Sequence, residues 1–224
     1  ALEDYESVAG DTHPDDFVYF PFHTPYPGMV RKAALLGYRH ITRGTDIEDA
    51  LADDIGMQPR EADFAEWDDY EEAIRAYMDE LKETRRYREW YERAIDPTVR
   101  IAGQVGNWYT GSVHLARLSA LRAAAEEDAD LVGEKLLVGS YGSGAQAEIH
   151  AETVQDGWRE GVEAVDVEAR LDDRYDLSYE EYELVHDVHN HEKEVEVDEF
   201  TQPSGEFVFT GWGRMNERRY EYVE

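Results

Sequence analysis

The segment that most restricts the fold is a change of hydrophobic pattern across residues 136–152. A short apolar run, Leu136-Leu137-Val138, leads into Ser140-Tyr141-Gly142-Ser143-Gly144, and a strict alternation runs from Ala145 to Glu152. Period-2 patterning on one side and a β-compatible run on the other predict a hairpin rather than a helix. Glycine has no Cβ, so the two glycines at the tip let the backbone approach a ligand closely. They also leave amide N–H groups able to face a developing negative charge. Taken alone, such a tip is as consistent with a plain tight turn.

The rest of the chain supplies helices to cover that hairpin. Residues 1–10 read as a helix end and residues 11–16 as a loop, before a β-prone aromatic run from Phe17 to Phe22 that stops at Pro25 and Pro27. Met29 to Tyr38 reads as a helix with a proline just ahead of it, and Met29, Val30, Ala33, Ala34 and Gly37 share one face. Residues 42–66 read as short helices and loops. Asp68 to Ala94 reads as one long helix, because Ile74, Tyr77, Met78, Leu81, Tyr87, Trp90 and Tyr91 recur at helical spacing. Arg100 to Val105 is expected to be a strand. Thr110 to Glu126 is expected to be a helix whose Ala116, Ser119, Ala120, Ala123 and Ala124 permit close packing. Residues 157–200 look irregular and charged, with a helix near Tyr179 to Asp187. Phe207-Val208-Phe209 and Tyr220 to Val223 read as a terminal antiparallel pair joined through residues 213–217.

Charge narrows the function classes. The 224 residues carry 52 acidic against 22 basic side chains, a formal net charge of -30. Such a field repels nucleic acid and anionic membrane, so neither is an expected partner. The acids are spread along the chain rather than gathered in a tail, and 42% of residues are apolar, which argues for a folded core. A protein adapted to molar salt fits this balance, since at about 1 M the Debye length is about 3 Å and carboxylate repulsion is screened. There is no cysteine, hence no disulfide, thiolate metal site or cysteine nucleophile in these residues. No run of 18 apolar residues occurs to make a spanning helix. The start, Ala1-Leu2-Glu3-Asp4, has no initiator Met and no signal-peptide pattern, and reads as the middle of a helix, as in a fragment or a processed product.

Two segments upstream of the hairpin carry chemistry. Phe22-His23-Thr24-Pro25-Tyr26 places a histidine where a strand ends and a proline-led helix begins, at a sheet rim. A helix N-terminus disfavours imidazolium, so this ring is expected to stay neutral near pH 7. A histidine at a strand end is, by itself, more often structural. Gly106-Asn107-Trp108-Tyr109-Thr110 offers an amide that both donates and accepts, suited to a carbonyl or thioester oxygen and equally to a loop or helix cap. The stretch His186-Asp187-Val188-His189-Asn190-His191-Glu192 reads as exposed surface rather than as a metal site. No metal is expected.

Taken in order, Phe-His-Thr-Pro-Tyr, Gly-Asn-Trp-Tyr-Thr and the block from Gly133-Glu134-Lys135 through Ser140-Tyr141-Gly142-Ser143-Gly144 resemble the C-terminal half of hydroxymethylglutaryl-CoA synthase, a member of the thiolase superfamily. Gly211-Trp212 and Arg218-Arg219-Tyr220 extend the likeness, which spans roughly Asp16 to Tyr222. The resemblance implies an α/β, thiolase-like fold, with residues 1–224 as its C-terminal half and a mixed β-sheet packed between helices. It implies His23 as the catalytic residue that orients the oxygens of acetoacetyl-CoA and assists proton transfer. Asn107, Pro25 and Tyr26 become substrate-binding residues, Gly142 and Ser143 contribute oxyanion-hole amides, and Tyr141 lines the same cavity. Lys32 matches a basic position that meets a CoA phosphate. However, Gly28 stands where many relatives carry another Lys, and Pro27 where they often carry Cys.

The reaction implied is condensation of acetyl-CoA with acetoacetyl-CoA, in the mevalonate route to isoprenoid lipids, with CoA thioesters as substrates and no cofactor. The family's Cys nucleophile and Glu acid/base belong to an N-terminal half, the expected partner. A homodimer or larger assembly is expected, with an acetoacetyl-CoA thiolase as a candidate companion, in a high-salt cytoplasm. Two other readings remain open at this point. One is a non-catalytic thiolase-like subunit that scaffolds or channels acyl-CoA; the other is a related acyl-transfer enzyme with different donors.

Overall fold

The computed structural model describes residues 1–142, 146–183, 195–196, 206–212 and 218–223. These fall into two units, Ala1–Val165 and Asp166–Glu224, each treated separately.

The first unit is organised about β1 (Lys135–Gly142), the buried arm of a hairpin completed by β2 (Gln146–Thr153). The two arms pair antiparallel from Lys135 against Thr153 to Gly142 against Gln146. On its other edge β1 meets the aromatic run in parallel, through Val18 N–H to Lys135 O (2.8 Å), Leu137 N–H to Tyr19 O (3.1 Å) and Gly139 N–H to Pro21 O (3.0 Å). The sheet is therefore mixed. Pro21 lacks an N–H and limits this pairing to separate bridges at Tyr19 with Leu136 and Phe22 with Gly139.

Because β1 has a neighbour on each edge and helices on both faces, its apolar residues are consecutive rather than alternating. Leu137 joins Phe17 and Phe20 in one cluster, packed on Val30, Ala34 and Tyr38 of one helix and on Trp90 and Ala94 of another. Leu136, Val138 and Tyr19 point the opposite way, into Val113, Ala120 and Ala124 of a third. β2, by contrast, is mostly exposed.

In chain order the helices of this unit are α1 (Leu2–Ala9), α2 (Pro27–Ile41), α3 (Asp46–Ile55), α4 (Trp67–Leu81), α5 (Arg85–Ala94), α6 (Asp96–Val99), α7 (Ala102–Val105), α8 (Gly111–Glu126) and α9 (Trp158–Glu163). Pro27 occupies the first turn of α2, where a missing N–H has no consequence. The expected face of α2 is divided: Val30 and Ala34 are buried in the core, together with Tyr38 and Ile41, while Met29, Ala33 and Gly37 line a cavity. The small residues of α8, Ala116, Ser119, Ala120, Ala123 and Ala124, are all buried as anticipated.

Two expectations need correction. The helix anticipated from Asp68 to Ala94 is two helices, broken at Thr84. The Thr84 hydroxyl donates to Leu81 O (2.8 Å) and accepts from Tyr87 N–H (3.3 Å), ending α4 and capping α5. Arg100 to Val105 is not a strand. Pro97 opens α6, and Ser119 Oγ donates to Pro97 O (2.6 Å) while accepting from Ile101 N–H (3.3 Å), which holds the segment helical against α8.

The second unit contains α10 (Val167–Asp172) and a helical turn over residues 179–183. Its antiparallel sheet runs in the order β3 (Val195–Glu196), β4 (Glu206–Trp212), β5 (Arg218–Val223), with an irregularity between Phe209 and Gly211. The terminal pair is present, while the turn at 213–217 and the helix beyond residue 183 lie outside the described residues.

Candidate active site

The aromatic run delivers His23 to the rim of the sheet. Its backbone N–H donates to Gly139 O at 2.8 Å, the last rung of the parallel pairing. Gly139 is closely covered: a Cβ there would stand 2.6 Å from Phe22 Cδ1, so only a glycine lets the ring beside His23 lie flat on β1. Immediately after, Thr24 is buried; its hydroxyl donates to Phe22 O (2.8 Å) and its N–H donates to Ser112 Oγ (2.9 Å). The chain turns here and enters α2.

The His23 ring is held on two sides. Its Nδ1 lies 2.9 Å from Ser112 Oγ, in the first turn of α8. Tyr141, near the end of β1, meets the ring edge-on, with centroids 4.8 Å apart and planes at 85°. The Tyr141 hydroxyl in turn donates to Met29 Sδ at 2.8 Å. Burial pushes the imidazole below its usual pKa of 6.5, so desolvation holds the ring neutral at pH 7.

The ring opens on a cavity of about 410 Å³ enclosed by α1, α2 and the hairpin, with Phe22, Met29, Ala33, Gly139, Tyr141 and Ile149 among its walls. Its walls are mostly apolar, with Glu3, His23, His40, Ser140, Tyr141 and Glu148 as their polar residues. That suits an acyl chain whose carbonyl needs a single directed contact.

His23 and Tyr141 are thus brought together. The others are distributed. Asn107 is exposed and does not line this cavity; its Oδ1 accepts from Tyr109 N–H (2.8 Å), closing a turn in which Tyr109 has φ 49°. The Asn107 loop does reach His23, through Ser112 five residues on. Pro25 is half-buried and Tyr26 exposed, and the Tyr26 ring folds over Gly28, where a Cβ would stand 2.9 Å from Cε2. A lysine at position 28 would have to displace that ring. Lys32 lies on a different wall of α2, facing a second cavity of about 480 Å³ that also gathers Arg31, Lys82 and Arg88. Gly142 is exposed at the end of β1, opposite Gln146. Ser143 lies outside the described residues, as do His186, His189 and His191. Among the described residues no cluster of three or more His, Cys, Asp or Glu could hold a metal ion.

Ser112 and Gly139 were not singled out as site residues from sequence. Ser112 stands two residues after Gly106-Asn107-Trp108-Tyr109-Thr110, so extending that segment through Gly111 would have reached it.

A family model described as hydroxymethylglutaryl-coenzyme A synthase C terminal matches residues 4–211. A hydroxymethylglutaryl-CoA synthase of Haloferax volcanii is 73% identical over 224 residues, covering 100% of this chain and 50% of the relative. One from Mycosarcoma maydis is 29% identical over 166 residues, covering 70% of this chain and 32% of the relative. Among solved structures, PksG, an HMG-CoA synthase from Bacillus subtilis, superposes with a TM-score of 0.66 at 20% identity, covering 100% of this chain and 47% of its own. MvaS in complex with 3-hydroxy-3-methylglutaryl coenzyme A gives 0.64 at 24% identity, covering 99% and 46%. At these identities the two structures establish the fold, that of one half of such synthases. The chain spans half or less of the length of these relatives.

Proposed function

The chain belongs to the hydroxymethylglutaryl-CoA synthase family, matching its C-terminal domain, and from that premise we propose that it supplies the histidine-bearing half of a centre that condenses acetyl-CoA with acetoacetyl-CoA. The observation that carries this reading is the neutral His23 ring on an apolar chamber, braced by Ser112 and Tyr141. In the condensing step the acid/base Glu of the N-terminal half takes a proton from the acetyl methyl, the resulting carbanion bonds to the ketone carbon of the acceptor, and the opened C=O leaves negative charge on the ketone oxygen. A hydrogen-bond donor set at that oxygen before the bond forms stabilises the charge with little reorganisation. His23 is that donor, and it also orients the acceptor's carbonyls.

These residues hold no cysteine, so the thiolate that carries the acetyl group comes from the N-terminal half, with a Glu as acid/base. Hydrolysis of that thioester then releases the product and restores the thiolate. Asn107, Pro25, Tyr26, Gly142 and Ser143 are assigned to substrate binding on the family resemblance alone, since none of them lines the His23 chamber among the described residues, and Lys32 is assigned to the nucleotide end of CoA. Adaptation of the surface to molar salt follows from the charge of -30 and agrees with the relative from Haloferax volcanii. Assembly as a homodimer or larger particle, a thiolase companion and a place in isoprenoid-lipid synthesis complete the proposal.

The test is His23→Ala in the full-length protein. Acetylation of the partner cysteine by acetyl-CoA should proceed near the wild-type rate, while condensation falls by about 10²–10⁴-fold. Undiminished turnover would remove His23 from the mechanism. A purified particle with no cysteine-bearing half would favour the scaffold reading instead.

A further inference from the structure

A neutral imidazole has one donor nitrogen and one acceptor nitrogen, and which is which decides whether it can polarise a carbonyl. At His23 the neighbouring hydroxyl settles the question. Ser112 is fully buried, and its Oγ already accepts from Thr24 N–H at 2.9 Å. The same oxygen is 2.9 Å from His23 Nδ1. If Nδ1 carried the proton, Ser112 would accept two hydrogen bonds, and among the described residues its own buried hydrogen would have no recorded acceptor. If Nδ1 is bare, the serine hydrogen fills it, and Thr24 N–H, the Ser112 hydroxyl and Nδ1 are all matched, leaving Nε2–H for the cavity. Leaving a buried donor unmatched is the more costly arrangement. The proton therefore belongs on Nε2.

We propose that Ser112 is a positioning residue that holds His23 as its Nε2–H tautomer, so that the ring presents a donor rather than an acceptor to the acyl substrate. The Thr24 N–H contact contributes by orienting the serine. It occupies a lone pair of Oγ and leaves the hydroxyl hydrogen to point toward the ring. The contact also ties the strand end bearing His23 to the first turn of α8, fixing the ring's position as well as its protonation. Tyr141, edge-on at 85°, blocks rotation on the other side.

The inference rests on the condensation role given to His23 above, and one arm of its test does not depend on that role. Full-length protein with ¹⁵N-labelled histidine, assigned by comparison with His23→Ala, is examined by NMR at pH 8. The wild type should show His23 with Nε2 protonated and Nδ1 in the bare, acceptor state. A predominantly Nδ1-protonated ring overturns the proposal, whatever the kinetics show. In Ser112→Ala the fixed signature should give way to a mixture of tautomers. Condensation should fall at least about ten-fold in kcat, with acetylation of the cysteine unchanged and a thermal transition still present. A Ser112→Ala protein that keeps the wild-type tautomer, or condenses at the wild-type rate, refutes the positioning role. Loss of the signature together with full turnover in His23→Ala would sink the condensation role alone.

Discussion

Gly139→Ala tests the geometry of the site without touching a polar group. The residue's φ lies outside the left-handed region, so the substitution acts through space alone. The added methyl would stand 2.6 Å from Phe22 Cδ1 and 3.0 Å from Cε1, against a favourable carbon–carbon separation of about 3.5–4.0 Å. Phe22 must retreat by about 1 Å, or the parallel pairing must open. Overpacking of this kind costs about 1–3 kcal/mol. For units of about 150–250 residues each kcal/mol lowers the melting temperature by about 2–4 °C, so a fall of several degrees is expected. The kinetic effect should be larger. His23 follows Phe22 directly and its N–H bonds Gly139 O, so the displacement passes to the imidazole. A misplacement of about 1 Å commonly costs about 10²-fold. The assay is condensation by full-length protein in molar KCl, with acetylation of the cysteine as internal control and a melt on the same sample. Adding Phe22→Leu should restore part of both losses, since it trims the opposing ring. A Gly139→Ala protein that melts and condenses like the wild type, or no relief from Phe22→Leu, would refute the close-approach argument.

Three further outcomes are expected. Diluting KCl from molar to millimolar should lower the melting temperature steeply, because a charge of -30 is then unscreened; a flat dependence would refute the salt reading. Condensation should be level near neutrality and fall only as pH drops through a value below 6.5, because burial depresses the His23 pKa. The unfolded chain takes up this proton near 6.5 and the folded chain only at lower pH. The stabilisation is therefore present above 6.5 and lost as pH falls through the folded value; an acid limb centred above 6.5 would contradict it. Thr84→Val should destabilise the protein by about 1 kcal/mol through loss of the α5 cap, and Thr84→Ser should not, as read by chemical denaturation.

The hairpin, the helix behind Pro27 and the small-residue face of α8 were legible because their signals are local: a change of period, a proline and a run of alanines. The break at Thr84 was not. The buried stripe passes through it, with Tyr77, Leu81, Thr84, Tyr87 and Trp90 all turned inward, so periodicity continues while the backbone does not. The segment after Pro97 was misread because its conformation is imposed from outside by Ser119. The resemblance brings His23 to the hairpin, but the parallel pairing of its segment with β1 leaves no local pattern. The contact of His23 with Ser112 spans 89 positions and leaves no trace in either local pattern. Lys32 faces the other way from His23 because neighbouring helix positions are about 100° apart. Met29 and Ala33, one turn from each other, share the His23 cavity while Arg31 and Lys32 line the other, and a family position does not specify that.

The parallel contact between the aromatic run and β1 also has a consequence for synthesis. Val18 bonds Lys135, so the run leaves the ribosome more than a hundred residues before its partner strand. At translation rates of about 5–20 residues per second, that is a wait of roughly five to twenty seconds. During it, Phe17, Phe20 and Phe22 have α2 and α5 to shelter against and Tyr19 has α8, with nothing from the hairpin to complete either side. The nascent chain's defence in that interval is the acidic sequence around them, which keeps neighbouring chains apart only as far as the surrounding electrolyte allows.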